Sequence, residues 1–558
     1  MAKLRFFSDI CGVICFPTSK RLKTVAALAL AAVALVLPFC LIPYGFWPVD
    51  EPYQILLSMD HTANPVAFLS SYVIGLWGNA FGFELTIMRT FAAILSSATV
   101  AIAGVVLYRR TRRPLLSVAI ASIANILLTF NQSQSYTIGW DVVSNFVIMA
   151  SLAALLAVVR ATGRRAIAWA AVLGCLTAIA VGARLPNVAI APIIAVMLLV
   201  RRRWRETAVF AVSAIATASA LVVALYGNFG SFTDSISDYA SQQIAAEHNA
   251  RQLLAATVIA ARRILPFAAA FFAILAVGVI AERKKWTIAM WCAFGLIPIA
   301  IFGQYHWAFN TDNQMISDIF AVPVAGLIVL SLMSDYDKKR SHKAWFFIVI
   351  LSFFILPNIG SNAFWSKFLS AQILPIAMIP FVLKPMSTVR RMLLFVGGTL
   401  LVGLPLYKYD DATWLDKGVS KCGYKLYLPQ MENIRASENR FRRLSDIYEL
   451  TKDDDALIVG DGWQTFAYSS GNYDRRLLQF FGVMTNGTLL DDHSYVDAIR
   501  EKIDSDDTEK VVVIDPILCR HNTTTLLTRM LIQSGYSLTD SGSAYAVYEK
   551  SREELTEL

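Results

Sequence analysis

Charged residues are scarce in this chain: only 16% of its 558 residues are Asp, Glu, Lys or Arg, while 56% are apolar. A soluble globular protein has about 25% charged and about 45–50% apolar residues, so the composition excludes an ordinary soluble enzyme. The 33 Phe, 20 Tyr and 12 Trp exclude a disordered chain, and the absence of a Gly-X-Y or heptad period excludes a fibrous one. The composition therefore predicts an integral membrane protein.

Several chemical motifs are also absent. The chain has no repeat of 20–50 residues and no low-complexity tract. Gly460-Asp461-Gly462 follows an apolar run but lacks the spacing of a dinucleotide or P-loop fingerprint. Outside the apolar runs, no cluster of His, Cys, Asp and Glu has the spacing of zinc ligands. We therefore predict no nucleotide site, no metal and no other cofactor. The alternative is a divalent metal held by Asp50 and a second carboxylate.

Net charge divides the chain into two parts at residue 407. Residues 1–406 contain 32 Lys and Arg against 15 Asp and Glu, whereas residues 407–558 contain 18 against 26. The whole chain carries +9, but the basic excess lies entirely in the apolar part. Positive charge in that context marks the cytoplasmic connections of a membrane protein, so membrane lipids are predicted partners and nucleic acid is not.

The apolar part contains about thirteen runs that can cross a bilayer, which takes about 20 residues. We predict a polytopic α-helical domain over 24–406, with spans at 24–46, 84–107, 114–130, 139–159, 166–182, 187–200, 207–227, 264–281, 286–302, 315–333, 344–357, 368–384 and 392–406. The first run lacks an Ala-x-Ala cleavage site and is too long for a signal peptide, so it is predicted to be a retained span.

Basic clusters at every second connection predict the orientation of these spans. The clusters lie around 20–23, 109–113, 160–165, 201–205, 283–285, 338–343 and 384–391. Because Lys and Arg favour the cytoplasmic side, the segment 1–23 is predicted inside and residues 407–558 outside. The alternation predicts a multi-pass protein of the cytoplasmic (inner) membrane with an extracytoplasmic, periplasmic C-terminal domain.

The C-terminal part, 407–558, has the pattern of a small α/β domain. It contains apolar runs typical of buried strands at 456–460 and 511–515, helical patterns around 431–450 and 524–534, and an alternating segment at 536–549. Its two cysteines, Cys422 and Cys519, are a disulfide candidate because an isolated pair in an oxidising compartment often bonds. The alternative is two unrelated buried thiols.

Carboxylates beside the bilayer are the first candidates for chemistry, because charge there is costly and usually has a role. The first outer loop, 47–83, opens with Asp50-Glu51 directly after a span, and Asp141 opens the fourth span on the same side. A carboxylate at the membrane boundary can deprotonate a hydroxyl whose attack target is delivered by a lipid. The alternative for Asp50 or Asp141 is a helix N-cap, and for Asp50 also a solvated loop charge.

Three short motifs accompany this loop. They are Trp47-Pro48-Val49-Asp50-Glu51-Pro52-Tyr53, then Asn64-Pro65 before a predicted membrane-surface helix ending at Phe81-Gly82, and Met88-Arg89-Thr90 at the start of the second span. Together they resemble the first outer loop of GT-C glycosyltransferases, in the branch that holds the lipid A aminoarabinose transferase and the protein O-mannosyltransferases. The family's His-Pro-Pro element is reduced here to Asn64-Pro65, and the tract 182–187 resembles its basic-x-Pro turn.

The resemblance implies transfer of a sugar from a polyprenyl-phosphate donor to an acceptor hydroxyl of a lipid, glycan or protein at the outer membrane face, with inversion. Because phosphate is already a good leaving group, one base and one cation suffice. The implied catalytic carboxylates are Asp50, the base, with Glu51 and Asp141. The candidate phosphate contacts are Arg184, Lys367, Arg262 and Arg263, and the candidate sugar or acceptor contacts are Tyr53, Tyr136, Trp140, Tyr305 and His306.

Each of these assignments has a structural alternative. Cations at span ends can extend their charge to interfacial water, and aromatic residues gather at membrane interfaces in any case. For the whole chain, the alternatives are a transporter or flippase of lipid-linked glycans with an outer accessory domain, and a non-enzymatic subunit that binds surface polymer. The paired halves and broken helices typical of transporters are not visible in the sequence, so the transferase is preferred.

Overall fold

The computed structural model describes most of the N-terminal part and of the C-terminal domain. The described residues are 20–45, 50–130, 136–239, 416, 418–452, 456–474, 477, 478, 480, 489–506, 508–514, 525–542 and 545–551, with scattered positions between 258 and 292. Six predicted spans fall in 264–406 and lie outside this description apart from those positions. So do the predicted site residues Arg263, Tyr305, His306 and Lys367, and also Cys519.

The described N-terminal part is helical. Its α-helices are α1 (Lys20–Leu41), α2 (Asp50–Met59), α3 (Phe68–Phe81), α4 (Leu85–Thr111), α5 (Pro114–Phe130), α6 (Trp140–Arg160), α7 (Gly163–Ala183), α8 (Ile190–Val200), α9 (Trp204–Tyr226) and α10 (Phe229–Tyr239). Five of them, α1, α4, α6, α7 and α9, are long and apolar enough to cross a membrane, and α5 and α8 are shorter apolar helices. Helices lie within a few residues of the first seven predicted runs, and five of them are candidate membrane spans.

The helix ends follow from local sequence. The α4 helix closes on Arg112, whose backbone is left-handed (φ 57°), and Pro114 begins α5 at a position where its missing N–H is not needed. In the bundle, α7 contacts both α6 and α9, α4 contacts α5 and α6, and α5 contacts α1. The α1 helix exposes many apolar side chains along its length, as expected for a span that faces lipid.

The basic connections meet at one end of this bundle. Arg160 donates a hydrogen bond to the carbonyl oxygen of Arg109 (3.4 Å), and Arg203 donates to that of Val158 (2.8 Å). The first outer loop and the C-terminal domain lie at the opposite end. The described connections thus alternate as the charge pattern predicts, while the assignment of the basic end to the cytoplasm stays a prediction.

The C-terminal part is a small α/β domain, as predicted. Its elements are β1 (Tyr424–Lys425), β2 (Arg435–Ala436), α11 (Glu438–Thr451), β3 (Leu457–Gly460), α12 (Trp463–Ser470), α13 (His493–Asp506), β4 (Lys510–Ile514), α14 (Leu526–Gln533), β5 (Tyr536–Ser541) and β6 (Tyr545–Lys550). One sheet has the order β3-β4-β6-β5, with β3 and β4 parallel and the other pairs antiparallel. The continuous apolar runs of β3 and β4 are buried, as parallel strands usually are.

The C-terminal domain packs directly on the first outer loop, and the two share one hydrophobic core. Tyr468 of α12 donates its hydroxyl hydrogen to the carbonyl oxygen of Phe83 (2.6 Å), and Leu85 N–H donates to the carbonyl oxygen of Gln430 (2.9 Å). Burial, and after it the negative charge of Glu51, raise the pKa of Tyr468 well above its usual value, so this hydroxyl stays a donor. The domain therefore sits over α2 at this end of the bundle.

Candidate functional site

A buried ion pair fixes the start of the first outer loop. Glu51 and Arg89 are both fully buried, and the carboxylate accepts two hydrogen bonds from the guanidinium, at 2.8 Å to Nε and 2.6 Å to NH2. Arg89 NH1 donates further bonds to the carbonyl oxygens of Ile42 (2.7 Å) and Gly45 (2.8 Å), and Ile138 N–H donates to the carboxylate (3.3 Å). The pair thus joins α2 and α4 to the end of the first span and to the segment before α6.

This arrangement gives Glu51 a structural contact that the sequence did not predict. Both of its oxygens are engaged by a buried guanidinium in a bidentate geometry, which is the strong form of such a bond. This contact holds the start of α2 in place, and the catalytic role of Glu51 stays a prediction. Asp50, by contrast, is part-exposed at the first residue of α2. The positive end of the helix dipole favours a negative charge at that position.

The α2 helix reaches the start of α6 through Gln54. Gln54 lies one helical turn after Asp50 and therefore on the same side of α2. Its side-chain oxygen accepts a hydrogen bond from Trp140 N–H (2.6 Å). Gly139 makes this approach possible, because a Cβ at that position would lie 2.5 Å from the Gln54 oxygen. The face of α2 that carries Asp50 is thereby fixed against the first turn of α6.

Asp141 and Arg184, predicted separately, form an ion pair. The distance from Arg184 NH1 to Asp141 Oδ1 is 3.5 Å, with 13% of the Arg184 side chain and 41% of the Asp141 side chain exposed. The N-cap of α6 is Gly139, and its first turn contains Asp141, so the N-cap alternative for Asp141 does not hold. The structure thus brings a carboxylate and a guanidinium together beside the residue that Gln54 contacts.

The turn that carries Arg184 is held in place by buried polar contacts. The Ser70 hydroxyl of α3 donates to the carbonyl oxygen of Ala183 (2.8 Å), and Leu185 N–H donates to that of Val66 (2.8 Å). Asn187 is fully buried, and its amide donates to Ser144 Oγ (2.8 Å). Residues 185–189 form a 3-10 helix with proline in its first turn, which is the irregular backbone expected at Pro186.

Asn64 is the unusual polar residue of this region. Its side chain is 1% exposed, and among the described residues neither its amide nitrogen nor its oxygen has a hydrogen-bond partner. Buried amides are nearly always hydrogen-bonded, because an unmade bond costs about 1–3 kcal/mol. Asn64 lies two residues before Val66, whose carbonyl oxygen contacts the residue after Arg184. The segment that carries this buried amide is therefore hydrogen-bonded to the turn that carries Arg184.

The aromatic candidates are more buried than the sequence suggests. Tyr53 and Tyr136 are 3% and 2% exposed, and the Arg89 guanidinium lies 5.7 Å from the centre of the Tyr136 ring. Trp140 is part-buried against the shared core. These contacts give the three rings a packing role that the sequence did not predict, and their role as sugar contacts stays a prediction. Arg262 occupies an exposed helical position.

Other predicted features stay predictions. Cys422 is buried, but its predicted partner Cys519 lies outside the described residues, so the disulfide is not tested. Within the part of the chain that the structure describes, no group of three or more His, Cys, Asp or Glu side chains could hold a metal ion.

The sequence analysis did not assign three residues of this region to the site. Arg89 was part of a quoted motif, but the motif alone does not show that it pairs with Glu51, 38 positions away. Gln54 had one available signal, its spacing of four residues from Asp50 on a helix. Asn64 stands where the family's His-Pro-Pro element is reduced, and its burial without partners is visible only in the folded chain.

The comparisons with known proteins find similarity among solved structures. No protein-family model matches the chain, and no curated protein sequence matches it. Among solved structures, the chain is similar to the crystal structure of ArnT from Cupriavidus metallidurans in the apo state. That similarity covers 94% of this chain and 97% of the other, with 13% sequence identity and a TM-score of 0.44.

Proposed function

We propose that this protein is a GT-C-type membrane glycosyltransferase. It moves a sugar from a polyprenyl-phosphate donor to the hydroxyl of a lipid, glycan or protein acceptor at the outer face of the membrane. One observation carries the proposal. Asp50 and the Asp141–Arg184 pair belong to elements that Gln54 ties together, at the end of the bundle on which the C-terminal domain sits. A base and a phosphate-binding cation are the two groups that the reaction needs.

Asp50 is the proposed base. It is the part-exposed member of the Asp50-Glu51 pair, and the buried ion pair of Glu51 with Arg89 fixes the helix end on which it stands. Rigid placement matters because a general base acts only within hydrogen-bonding distance of the proton that it takes. Glu51 and Arg89 are accordingly positioning residues.

Arg184 is the proposed contact of the donor phosphate. A guanidinium carries five N–H donors in a planar fork, so it can hold a phosphate oxygen while it keeps its contact with Asp141. Arg also stays charged when it is partly desolvated, as it must at the depth of a lipid phosphate. Asp141 then orients the guanidinium, which is a positioning role in place of a catalytic one.

The proposed reaction is a single displacement. Asp50 takes the proton of the acceptor hydroxyl, whose oxygen attacks the anomeric carbon and forms the new glycosidic bond. The bond from the anomeric carbon to the phosphate oxygen breaks, and its electron pair leaves with polyprenyl phosphate. Arg184 stabilises the charge that develops on that phosphate. Attack opposite to the leaving group inverts the anomeric configuration.

Arg184→Ala is expected to weaken donor binding at least tenfold, because hydrogen bonds to a charged group contribute about 1.5–3 kcal/mol. Arg184→Lys should lose less donor affinity, since lysine keeps the positive charge and loses only the planar arrangement of N–H donors. Binding of a fluorescent polyprenyl phosphate measures both. Arg201→Ala, an exposed arginine after α8 at the basic end, is the matched control and should bind normally. Unchanged donor affinity in Arg184→Ala would contradict the proposal. Arg184 would then be a cation that only extends its charge to interfacial water.

Asn64→Leu is expected to separate binding from stability. The Asn64 amide makes no hydrogen bond within the part of the chain that the structure describes, so an apolar side chain of similar size should leave the unfolding midpoint unchanged or higher. We propose that this amide bonds the donor, so donor affinity should fall about tenfold. Asn187→Leu is the control for stability, because its amide is hydrogen-bonded and its loss should lower the midpoint. Equal destabilisation by the two substitutions would contradict the proposal.

The function is tested with the purified full-length protein and a panel of labelled polyprenyl-phosphate sugars. A lipid and glycan extract of the source membranes supplies the acceptor. The expected result is release of free polyprenyl phosphate from one donor, with the sugar recovered on an extract component. No turnover of any donor, with donor binding retained, would reject the transferase.

A further inference from the structure

The C-terminal domain is hydrogen-bonded to the chain that leaves the first span. Arg435 of β2 donates its backbone N–H to the carbonyl oxygen of Pro43 (2.6 Å) and accepts from Gly45 N–H (2.7 Å), so Tyr44 forms a parallel bridge with Arg435. On its other side β2 pairs with β1, and Lys425 lies opposite Arg435. Three chain segments thus form one short ladder at the end of α1.

Paired residues of a ladder project to the same face, so Tyr44, Arg435 and Lys425 share one face. Tyr427 joins them, because the Lys425 ammonium lies 5.4 Å from the centre of its ring, and the Arg435 guanidinium lies 6.0 Å from that of Tyr44. We call these four residues the ladder face. Arg435 is exposed, Lys425 is part-exposed, and 74% of Tyr427 is exposed.

The two cations of the ladder face stand opposite each other on adjacent strands. Like charges at directly opposed positions destabilise a sheet. Within the described residues neither Lys425 nor Arg435 forms a salt bridge with a carboxylate, in contrast to Arg440 and Arg442 of α11. An anion bound between the two would remove the repulsion and give both cations a partner.

The ladder face lies at the end of a candidate membrane span. Tyr44 follows the end of α1 by three residues, and this span keeps apolar side chains exposed as far as Phe39 (39%). Tyrosine at the end of a lipid-facing span is typical of the headgroup level. A largely exposed tyrosine such as Tyr427 is also typical of that level, where the apolar ring can contact lipid while the hydroxyl contacts water.

The sequence places positive charge in this part of a domain that is otherwise acidic. Residues 416–443 contain seven Lys and Arg against three Asp and Glu, whereas residues 444–558 contain ten against 21. Basic residues beside a span attract anionic lipid headgroups. This attraction is screened by salt and fades within about 10 Å of the membrane surface. The acidic remainder of the domain would be repelled by the same surface.

We propose that the ladder face binds the phosphate of an anionic phospholipid headgroup in the leaflet on which the C-terminal domain sits. Lys425 and Arg435 hold the phosphate, while Tyr44 and Tyr427 line it with rings at headgroup depth. This site anchors the domain to the bilayer as well as to α1. It is independent of the proposed transfer reaction, because none of the four residues belongs to the site around Asp50.

Titration of the purified full-length protein with phosphatidylglycerol tests this site. The unfolding midpoint is measured at low salt in three separate titrations, with increasing phosphatidylglycerol, phosphatidylcholine or inorganic phosphate. Phosphatidylglycerol should raise the midpoint most, and the Lys425→Gln/Arg435→Gln variant should need about tenfold more lipid for the same rise. The control Lys452→Gln/Arg500→Gln removes the same charge from Lys452, directly after α11, and from Arg500 of α13. These residues already pair with Glu449 and Asp497, so this variant should respond like the wild type.

A second variant tests the same site without depending on the first. Lys425→Glu places an opposite charge across from Arg435, so it should stabilise the lipid-free protein and abolish the preference for phosphatidylglycerol. The proposal is overturned if the double glutamine variant responds to phosphatidylglycerol as the wild type does. It is equally overturned if phosphatidylcholine or millimolar inorganic phosphate gives the same rise, since no anionic lipid would then be required.

Discussion

Asp50→Asn is expected to reduce sugar transfer at least about 100-fold, because asparagine keeps the size of the side chain but cannot take a proton. Donor binding should be nearly unchanged, since the phosphate contact is assigned to Arg184. The fold should also be preserved, because Asp50 is part-exposed at a helix end and the ion pair of Glu51 is untouched. The initial rate of transfer and the donor affinity, measured on the same preparation, test the two expectations separately.

Asp60→Asn is the matched control for this prediction. Asp60 lies in the same loop, ten residues later, and accepts hydrogen bonds from the N–H (3.2 Å) and the hydroxyl (2.6 Å) of Thr62. An asparagine oxygen can accept the same bonds, so the variant should transfer at close to the normal rate. If Asp50→Asn behaves like Asp60→Asn, then Asp50 is not the base.

Glu51→Gln is expected to destabilise the protein by about 3–5 kcal/mol, because it leaves the buried charge of Arg89 without its counter-ion. The total free energy of unfolding of a domain is about 5–15 kcal/mol, so much less folded protein should be recovered. Glu438→Gln is the control, since Glu438 pairs with Arg442 on the surface and such pairs contribute about 0–1 kcal/mol. The unfolding midpoints of both variants, measured in one detergent, decide the prediction.

The double variant Glu51→Leu/Arg89→Met tests whether the pair acts as a unit. Removing both charges removes the uncompensated ion, so the double variant should be at least as stable as Glu51→Gln alone. It should lose activity even where it folds, because α2 is then held by packing only and Asp50 is less well placed. Equal stability of Glu51→Gln and Glu438→Gln would show that the buried pair contributes little.

The helices could be predicted because the bilayer imposes a simple rule on sequence. A span needs a long apolar run, and such runs place α1, α4, α6, α7 and α9 within a few residues of their observed limits. The strands β3 and β4 could be predicted for a similar reason, since parallel strands covered on both faces are continuously apolar. Their order in the sheet could not, because pairing depends on contacts that no local pattern records.

The site was only partly predictable. Local sequence identified Asp50, Asp141 and Arg184 as polar residues at a costly depth, but the Asp141–Arg184 contact joins the ends of two different helices. The motif that contains Glu51 gives no sign that Arg89 holds it in a buried pair. The sequence likewise gave no sign that the Tyr53 ring is buried. Each of these outcomes depends on long-range packing, which the spacing of residues in one chain does not encode.

The most direct measurement follows both halves of a doubly labelled polyprenyl-phosphate sugar, with the purified protein in vesicles that contain the acceptor extract. The proposal predicts that the sugar label leaves the lipid label and is recovered on an acceptor hydroxyl with inverted anomeric configuration. It also predicts that Asp50→Asn binds the donor with normal affinity and leaves the two labels joined. The contrary result is a wild-type protein in which the labels stay joined while the lipid crosses the bilayer, which would make this chain a flippase.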